Sequence, residues 1–187
     1  VERSEEATRE AYAALRQSEE RFNLAAKGAN AGLWDWPDIS KNEEWWSARW
    51  YELLGYRDGE IEASLSNFKA FLHPKDSIRV EEEIRRHLED RVPFDTEYRL
   101  RTKSGEYRWF RGRGQALWLD DGRPSRMSGS IQDITARKKT ELELQEREAR
   151  LDAIFNGIND AIIFTDKDRR IVDVNEGVRR TFGYTIM

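Results

Sequence analysis

The side chains best suited to chemistry are few in this chain of 187 residues. It contains two histidines, His73 and His87, and no cysteine, which excludes disulfides, thiolate chemistry and zinc sites with cysteine ligands. His73 stands in the run His73-Pro74-Lys75-Asp76, where it either serves as a ligand or shapes the first turn of a helix, and we favour the second role. Paired carboxylates for acid–base catalysis need a cleft and shifted pKa values, and the sequence indicates neither. We therefore predict no catalytic residues and no metal site.

A second set of candidate residues is charged and lies where polar and apolar residues alternate. It comprises Glu97, Arg99, Arg101, Glu106, Arg108, Arg111 and Arg113. These residues either form a site for an anion or a partner, or pair across strands on the solvated face of a sheet. Each cross-strand charge pair contributes only about 0.2–1 kcal/mol. We favour the cross-strand pairs.

Seven tryptophans are the most unusual feature of the composition. They can line a pocket for a planar ligand or fill the core of a small domain, since a buried tryptophan covers about 150–250 Å². We favour the filled core, to which we assign Trp34, Trp36, Trp46, Trp50 and Trp109.

The elements that position these residues follow from periodicity and turn residues. A helix is predicted over 2–27, with a thin apolar stripe at Ala11, Leu15 and Phe22 that is typical of a weak coiled coil. Short strands are predicted at 33–36 and 43–46, helices at 48–54, 66–72 and 74–90, and long strands at 94–101, 106–119 and 124–134. Another charged helix over 136–156 leads into two more short strands and a last short helix. The pattern predicts an α+β domain with one antiparallel sheet and helices on one face.

The chain repeats itself at an offset of about 129 residues. Leu15 aligns with Leu144 and Leu33 with Ile162, while Leu54-Gly55-Tyr56 aligns with Phe182-Gly183-Tyr184 at an offset of about 128. We interpret the first copy as whole and the second as the opening third of the same unit. Without the long strands, we expect five of its apolar residues to be exposed, disordered or paired with another chain: Ile162, Ile163, Phe164, Ile171 and Val174.

The composition limits the partners of the chain. Charged residues make up 36% of it and the mean hydropathy is −0.87, so we expect long solvated helices beside a modest core. The net charge is −4 and no basic block stands out, which argues against nucleic acid as a partner. No apolar run approaches the roughly 18 residues of a membrane helix and no signal peptide is visible, so we expect a cytoplasmic protein without membrane contact. We also interpret the sequence as a piece of a longer protein.

Four motifs, taken together and in order, resemble the PAS–PAC form of PAS domains found in bacterial sensor proteins. They are Gly32-Leu33-Trp34-Asp35-Trp36 with Trp46-Ser47 and Leu53-Leu54-Gly55-Tyr56, then His73-Pro74-Lys75-Asp76, then Glu97-Tyr98-Arg99 with Lys103-Ser104-Gly105-Glu106-Tyr107-Arg108-Trp109, and last Asp133-Ile134-Thr135. The resemblance covers residues 20–137. The second copy is similar to a commoner PAS variant in Asp160-Ala161-Ile162-Ile163 and Ile171-Val172-Asp173-Val174-Asn175.

The resemblance implies a PAS fold, with a five-stranded antiparallel sheet, helices over one face, a pocket between them and long coiled-coil-like flanking helices. It divides the chain into a signalling helix at 1–24, a PAS domain at 25–135, a connecting helix at 136–156 and part of a second PAS domain at 157–187. Nine residues are candidates for the pocket: Trp34, Trp46, Trp50, Phe71, Val80, Ile84, Tyr98, Trp109 and Ile131. Asp133 and Thr135 are candidates for signal coupling, because a helix cap worth about 1 kcal/mol can also act as a hinge between the sheet and the next helix.

The function that the resemblance implies is a sensory or relay module in a multidomain protein, and this part of it is not an enzyme. We expect a sensor histidine kinase of a two-component system, with a diguanylate cyclase or phosphodiesterase as the alternative. We expect a homodimer through the flanking helices and an unidentified small-molecule ligand. A ligand-free dimerisation module, whose cavity is filled by tryptophans, is a further alternative.

We expect no cofactor. Haem-binding relatives supply an axial histidine from the helix that holds His87, but a histidine on the helix surface is commoner and is what we expect here. Light-sensing relatives form a flavin adduct through a cysteine and use a glutamine on the last strand. The chain has no cysteine and carries Ile131 at that strand position, so adduct photochemistry is excluded.

Overall fold

The computed structural model describes residues 2–183 and, within the first helix, leaves some side chains undescribed. Three predictions fall outside the described part: the apolar stripe at Ala11 and at Phe22, and Tyr184 of the repeated motif. The chain forms two compact units, residues 1–135 (unit 1) and residues 136–187 (unit 2).

Unit 1 contains the helices and strands predicted for the first copy. They are α1 (Glu2–Gly28), β1 (Gly32–Trp36), β2 (Trp45–Trp46), α2 (Ala48–Leu54), α3 (Leu65–Phe71), α4 (Pro74–Asp90), β3 (Phe94–Arg101), β4 (Tyr107–Trp118) and β5 (Pro124–Asp133). β2 is shorter than predicted, because Glu43 forms only an isolated bridge with Ser64. Ser64 also begins α3 one residue early, since its hydroxyl accepts a hydrogen bond from the backbone N–H of Asn67.

Local capping sets the limits of the helices in unit 1. α4 begins at His73, whose Nδ1 accepts a hydrogen bond from the backbone N–H of Lys75 at 3.1 Å. His73 therefore shapes the start of the helix, as predicted, with Pro74 at the first helical position. α2 ends at Gly55, whose φ of 83° lies in the left-handed region that glycine adopts without strain.

The sheet of unit 1 has five antiparallel strands in the order β2-β1-β5-β4-β3. This confirms the predicted α+β fold. Gly114 of β4 pairs with Gly129 of β5, and Gly129 pairs with Trp34 of β1. A Cβ atom on Gly129 would lie 2.5 Å from the Trp34 ring and 2.0 Å from the carbonyl oxygen of Arg113. The absence of side chains here lets the indole lie across the sheet.

The core of unit 1 lies between the sheet and α2, α3 and α4. In β3 every second side chain is buried, as the alternation predicts: Phe94, Thr96, Tyr98 and Leu100. Helix residues pack against this face, among them Trp50, Leu54, Phe71 and Val80. Trp46 and Trp50 stack with their ring centroids 3.7 Å apart, so two large aromatics fill the centre of the core.

Unit 2 is built from a long helix and a small hairpin. Its elements are α5 (Thr135–Gly157), which begins on the last residue of unit 1, then β6 (Ile163–Thr165), β7 (Ile171–Val174) and α6 (Glu176–Phe182). The side chains of Ile163, Phe164 and Ile171 are exposed, which is one of the three outcomes predicted for them. Ile162 and Val174 are half-buried. None of the helices within residues 2–183 is both long and apolar enough to span a membrane.

Candidate functional site

A small cavity between the sheet and the helices of unit 1, the aromatic cavity, is the candidate ligand site. Its walls are Trp34, Trp36, Glu44, Trp46, Trp50, Leu65, Phe68, Ile84, Phe94, Tyr98, Met127 and Ile131. Six of these were pocket candidates from the sequence: Trp34, Trp46, Trp50, Ile84, Tyr98 and Ile131. Strands β1, β2, β3 and β5 and helices α2 and α4 therefore bring six of the nine predicted residues together.

The volume of the aromatic cavity is about 30 Å³. A cavity needs about 10–15 Å³ by this measure to hold one water molecule, and pockets for drug-sized ligands span roughly 300–1,000 Å³. The space therefore accommodates one or two small groups. Most of the volume that a planar ligand would need is filled by tryptophan rings, in line with the filled-core interpretation.

Three pocket predictions do not match the cavity walls. Phe71 and Val80 are buried in the core but do not line the cavity. Trp109 was assigned to the core and to the pocket, and both assignments are wrong. Because neighbouring side chains on a strand point to opposite faces and Phe110 is fully buried, Trp109 lies on the outer face of the sheet, where the Arg99 guanidinium is 5.0 Å from its ring centroid.

Glu44 is a cavity residue that the sequence analysis missed. Its Oε2 accepts a hydrogen bond from Nε1 of Trp46 at 2.7 Å. Burial, opposed by this bond and reinforced by the charge of Asp35, raises the pKa of the Glu44 carboxyl to about 7. A signal was present, because Glu44 stands two residues before Trp46, and residues at that spacing in an extended segment share a face. Because it shares a face with the core residue Trp46, Glu44 could have been named as a candidate pocket residue from the sequence.

Tyr98 brings a second polar group to the cavity wall. Its side chain is 1% exposed, and its hydroxyl forms no hydrogen bond with any group in residues 2–183. Burial and the nearby Glu44 charge raise the pKa of this phenol, so the hydroxyl keeps its proton. The cavity thus contains a carboxyl group and a hydroxyl group within aromatic walls.

His87 is buried rather than on the helix surface, which corrects the prediction. Its side chain is 1% exposed, and its Nε2 accepts a hydrogen bond from the backbone N–H of Ala116 at 3.0 Å. His87 is buried because β3 is shorter than β4. The pairing of β3 with β4 stops at Gly114, so the backbone N–H of Ala116 on β4 has no partner on β3 and bonds to His87 instead. Nδ1 lies 2.6 Å from the carbonyl oxygen of Val92, so the tautomer with a proton on Nδ1 satisfies both contacts.

These contacts bear on haem binding. His87 does not line the aromatic cavity, and it packs against the rings of Phe94 and Trp118. Axial ligation would require a ring nitrogen to leave its backbone partner. In the part of the chain that the structure describes, no group of three or more His, Asp or Glu side chains is arranged to hold a metal ion.

The arginines of the sheet pair with carboxylates on neighbouring elements. Asp95 on β3 binds Arg111 and Arg113 of β4, with shortest N–O distances of 2.6 and 3.2 Å. Asp76 in the first turn of α4 is buried and accepts hydrogen bonds from the backbone, Nε and Nη2 of Arg99, the last two at 2.9 Å. These bonds lower the pKa of the Asp76 carboxyl. Arg111 and Arg113 therefore pair across strands as predicted, but with Asp95, which the sequence analysis did not name. Arg99 instead binds Asp76 of α4, so this pair joins the helix to the sheet rather than two strands.

The two coupling candidates, Asp133 and Thr135, lie together where β5 gives way to α5. The carboxylate of Asp133 accepts a hydrogen bond from the backbone N–H of Thr135 at 2.8 Å. The hydroxyl of Thr135 accepts one from the backbone N–H of Trp109 at 3.0 Å. The first residue of α5 is thereby bonded to the ends of both central strands, β4 and β5.

Comparisons with known proteins agree with this geometry. A family model described as PAS fold matches residues 43–131, and one described as PAS domain matches residues 149–187. A solved structure of a sensory box histidine kinase/response regulator from Burkholderia thailandensis is 42% identical, with a TM-score of 0.64, and the match covers 70% of this chain and 97% of that one.

Two other relatives are diguanylate cyclases by name. The N-terminal domain of a diguanylate cyclase with PAS/PAC sensor from Marinobacter aquaeolei is 22% identical with a TM-score of 0.52, covering 58% of this chain and 98% of that one, which is a likeness of fold. The probable diguanylate cyclase DgcE of Escherichia coli is 26% identical over 89% of this chain and 15% of its own length. The chain spans about 12–20% of the length of the curated relatives it matches.

Proposed function

This chain belongs to the PAS domain family, and from that premise we propose that unit 1 relays a change in its aromatic cavity to α5. It is a sensor module of the kind found in signalling proteins. In the proposed mechanism, an altered cavity shifts the central strands and changes the hydrogen bonds that begin α5. A ligand can bias such a change only through different affinities for the two states.

The path along β5 is the observation that supports this proposal. Ile131 lines the cavity, and Asp133 lies two residues further along the same strand. The carboxylate of Asp133 holds the backbone N–H of Thr135. Because a displacement of β5 at Ile131 moves Asp133 with it, a change in the cavity alters the first turn of α5.

A second strand makes this connection sensitive to the sheet. The hydroxyl of Thr135 is held by the backbone of Trp109 on β4, and the backbone N–H of Ile134 donates to the carbonyl of Trp109 at 2.9 Å. The start of α5 therefore depends on the relative positions of β4 and β5. Removing a side-chain hydrogen bond of this kind costs about 1 kcal/mol.

A double-mutant cycle between the cavity and the cap tests the proposal. The free energy of unfolding is measured for Ile131→Val, Thr135→Val and the double variant, using tryptophan fluorescence in urea. All seven tryptophans lie at or before residue 118, so the fluorescence reports unit 1. We expect a coupling energy of at least about 0.5 kcal/mol, as found for residues that share a network.

Thr102→Val provides the matched control for this cycle. The Thr102 side chain is buried, and its hydroxyl also bonds to a backbone group, donating to the carbonyl of Glu106 at 2.9 Å in the β3–β4 turn. With Ile131→Val it should be additive within about 0.3–0.5 kcal/mol. Equal coupling in both cycles, or none in either, contradicts the relay.

For the complete protein we propose a sensor histidine kinase. The support is the 42% identity to a structure described as a histidine kinase/response regulator. The relatives named as diguanylate cyclases favour the alternative. Incubating the complete protein with labelled ATP or GTP separates the two: autophosphorylation supports the kinase, and a cyclic dinucleotide product supports the cyclase.

We also propose a homodimer formed through α1 and α5. Both helices carry exposed apolar side chains: Tyr12, Leu15 and Leu24 on α1, and Leu142, Leu144, Leu151 and Ile154 on α5. Burying these apolar side chains between paired helices removes them from water and so stabilises a dimer. Sedimentation equilibrium of the chain should give twice the monomer mass, and a monomer at all concentrations contradicts this.

No flavin or haem is part of the proposal. The chain has no cysteine for a flavin adduct, the cavity of about 30 Å³ is far smaller than an isoalloxazine ring system, and both ring nitrogens of His87 contact the backbone. An absorption spectrum of the purified chain tests this, since a visible band would contradict it.

A further inference from the structure

We propose that the aromatic cavity of unit 1 binds a small protonated amine, with Glu44 as its counter-ion and the Tyr98 hydroxyl as a second contact. This inference rests on the proposed relay function and names the chemical class of the ligand that drives it. Three observations support it: the polar groups in the cavity, the aromatic side chains of its walls and the volume of the cavity.

The carboxyl group of Glu44 has no cationic partner in residues 2–183. One of its oxygens accepts a hydrogen bond from Trp46, and no lysine or arginine among the described side chains forms an ion pair with it. The charged or titratable groups that act on it are Asp35 on β1 and Tyr98 on β3. Burying an ionised carboxylate without a cation is costly, so a cationic ligand would remove a penalty that the folded protein otherwise carries.

Tyr98 supplies the independent second observation. The Tyr98 side chain is 1% exposed and lines the cavity, and its hydroxyl makes no hydrogen bond with the described chain. Buried hydroxyl groups nearly always have a partner. An ammonium group between Tyr98 and Glu44 would donate to the phenol oxygen and to the carboxylate, and both polar groups would be satisfied.

The walls favour a cation over a neutral donor. Trp34, Trp36, Trp46 and Trp50 contribute four indole rings to the cavity. A cation near the face of an indole is attracted by the electron-rich ring, and this attraction is stronger when water is excluded. An anion is disfavoured, because the pocket already contains an acidic group and lacks a basic one.

The volume limits the size of the amine. About 30 Å³ corresponds to one or two water-sized groups, which fits ammonium or methylammonium. The cavity shares Trp36, Leu65 and Ile84 with a groove on the outside of α4, and that groove gives a route from solvent. A larger amine would have to displace one of the tryptophan rings.

Binding should depend on pH through Glu44. Its pKa of about 7 means that the carboxyl group is mostly protonated at pH 6 and mostly ionised at pH 8. Because the amine stays protonated over this range and needs the ionised form, its affinity should rise about tenfold from pH 6 to pH 8.

The experiment is a titration of the purified chain with methylammonium chloride at pH 8, followed by tryptophan fluorescence and calorimetry, with sodium chloride at equal ionic strength as the reference. Glu44→Gln removes the charge and keeps the acceptor for Trp46. Glu43→Gln is the matched control, since the Glu43 side chain is exposed and next in sequence. Tyr98→Phe is a second cavity variant that keeps the buried ring, and it remains informative if Glu44→Gln loses the native emission spectrum.

We expect saturable binding in the native chain and in Glu43→Gln, at least tenfold weaker binding in Glu44→Gln, and several-fold weaker binding in Tyr98→Phe. Equal binding in Glu44→Gln, an identical response to sodium chloride, or no saturation in the native chain overturns the inference. These failures are distinct from failure of the relay: the Ile131–Thr135 cycle can show coupling without amine binding, and amine can bind while that cycle is additive.

Discussion

The opening segments of unit 1 and unit 2 share the hydrogen bonds of one capping side chain but differ in burial. In unit 1, Ser47 accepts from the backbone N–H of Leu33 at 2.9 Å and caps α2. In unit 2, Asn175 stands about 128 residues later, accepts from the backbone N–H of Ile162 at 2.8 Å and caps α6. Both helices then end at a glycine in the left-handed region, Gly55 and Gly183.

Burial separates the two segments. In unit 1, β5 pairs with β1 and the core tryptophans are at most a few per cent exposed. In unit 2, the described strands form a two-stranded sheet, and Phe164 and Ile171 are 53% and 64% exposed. Local capping and hairpin pairing therefore suffice to form the elements, whereas burial of their apolar faces requires the long strands that follow in unit 1.

The cavity is specific to unit 1 in the same way. At the offset of about 128 residues, Glu44 corresponds to Val172 and Trp46 to Val174. Two valines therefore replace the carboxyl group and the indole that are hydrogen-bonded to each other in unit 1. The repeat preserves the framework, and the chemistry of the candidate site belongs to one copy.

The largest expected difference between the units comes from removing a core side chain at equivalent positions. Trp50 is 1% exposed and stacks on Trp46, so Trp50→Ala should lower the free energy of unfolding of unit 1 by about 3–5 kcal/mol. Val178 is the counterpart in α6, and Val178→Ala should cost unit 2 about 1–2 kcal/mol. Urea titration followed by the fluorescence of the remaining tryptophans measures the first, and amide hydrogen exchange over 163–174 measures the second. A cost for Val178→Ala that matches or exceeds that for Trp50→Ala would contradict the difference in burial.

The pH dependence of stability should also distinguish the units. The folded-state pKa of Glu44 is raised from 4.5 to about 7, so the folded state binds more protons than the unfolded state between these values. The free energy of unfolding of unit 1 should therefore fall as pH rises through this window, by roughly 3 kcal/mol in total.

Glu44→Gln is the variant that tests this assignment. It should be more stable than the native chain at pH 8 and should flatten the fall between pH 5.5 and pH 8, measured by urea titration with fluorescence. The stabilising carboxylates, such as Asp76, have lowered pKa values and lose their contribution only at lower pH. An unchanged slope in Glu44→Gln would show that another group is responsible.

Much of the fold was predictable because it depends on near neighbours. The limits of α2 and α4 follow from Ser47, Gly55 and His73, and the buried face of β3 follows from alternation. The burial of His87 was not predictable from its own helix, since it depends on where β3 stops pairing with β4. The candidate site was partly predictable for the same reason: its walls are core residues, but the cavity volume depends on how two tryptophans stack.

A comparison of the two caps should give the next largest effect. Asn175 is fully buried, and besides capping α6 its amide donates to the carbonyls of Phe155, Ile158 and Asp160 at 2.9–3.3 Å. Asn175→Ala leaves these groups unpaired and should cost unit 2 about 2 kcal/mol, whereas Ser47→Ala should cost unit 1 about 1 kcal/mol. Exchange of the 163–174 amides and urea titration of unit 1 measure the pair. The reverse order would mean that polar contacts do not replace packing in unit 2.

The smallest effect should be the same in both units. Gly55 and Gly183 end their helices with φ of 83° and 69°, and a Cβ atom would meet only Lys103 at 3.7 Å in the first case and nothing within 4 Å in the second. Alanine at either position therefore meets no steric obstacle and only adopts a left-handed backbone, which should cost about 1 kcal/mol in each unit. The same two measurements apply, fluorescence for Gly55→Ala and hydrogen exchange for Gly183→Ala. This cost is local to the backbone of each glycine. Equal costs for Gly55→Ala and Gly183→Ala would therefore show that the two units differ in non-local packing and not in capping. A much larger cost for Gly55→Ala would mean that the cap of α2 also depends on the sheet.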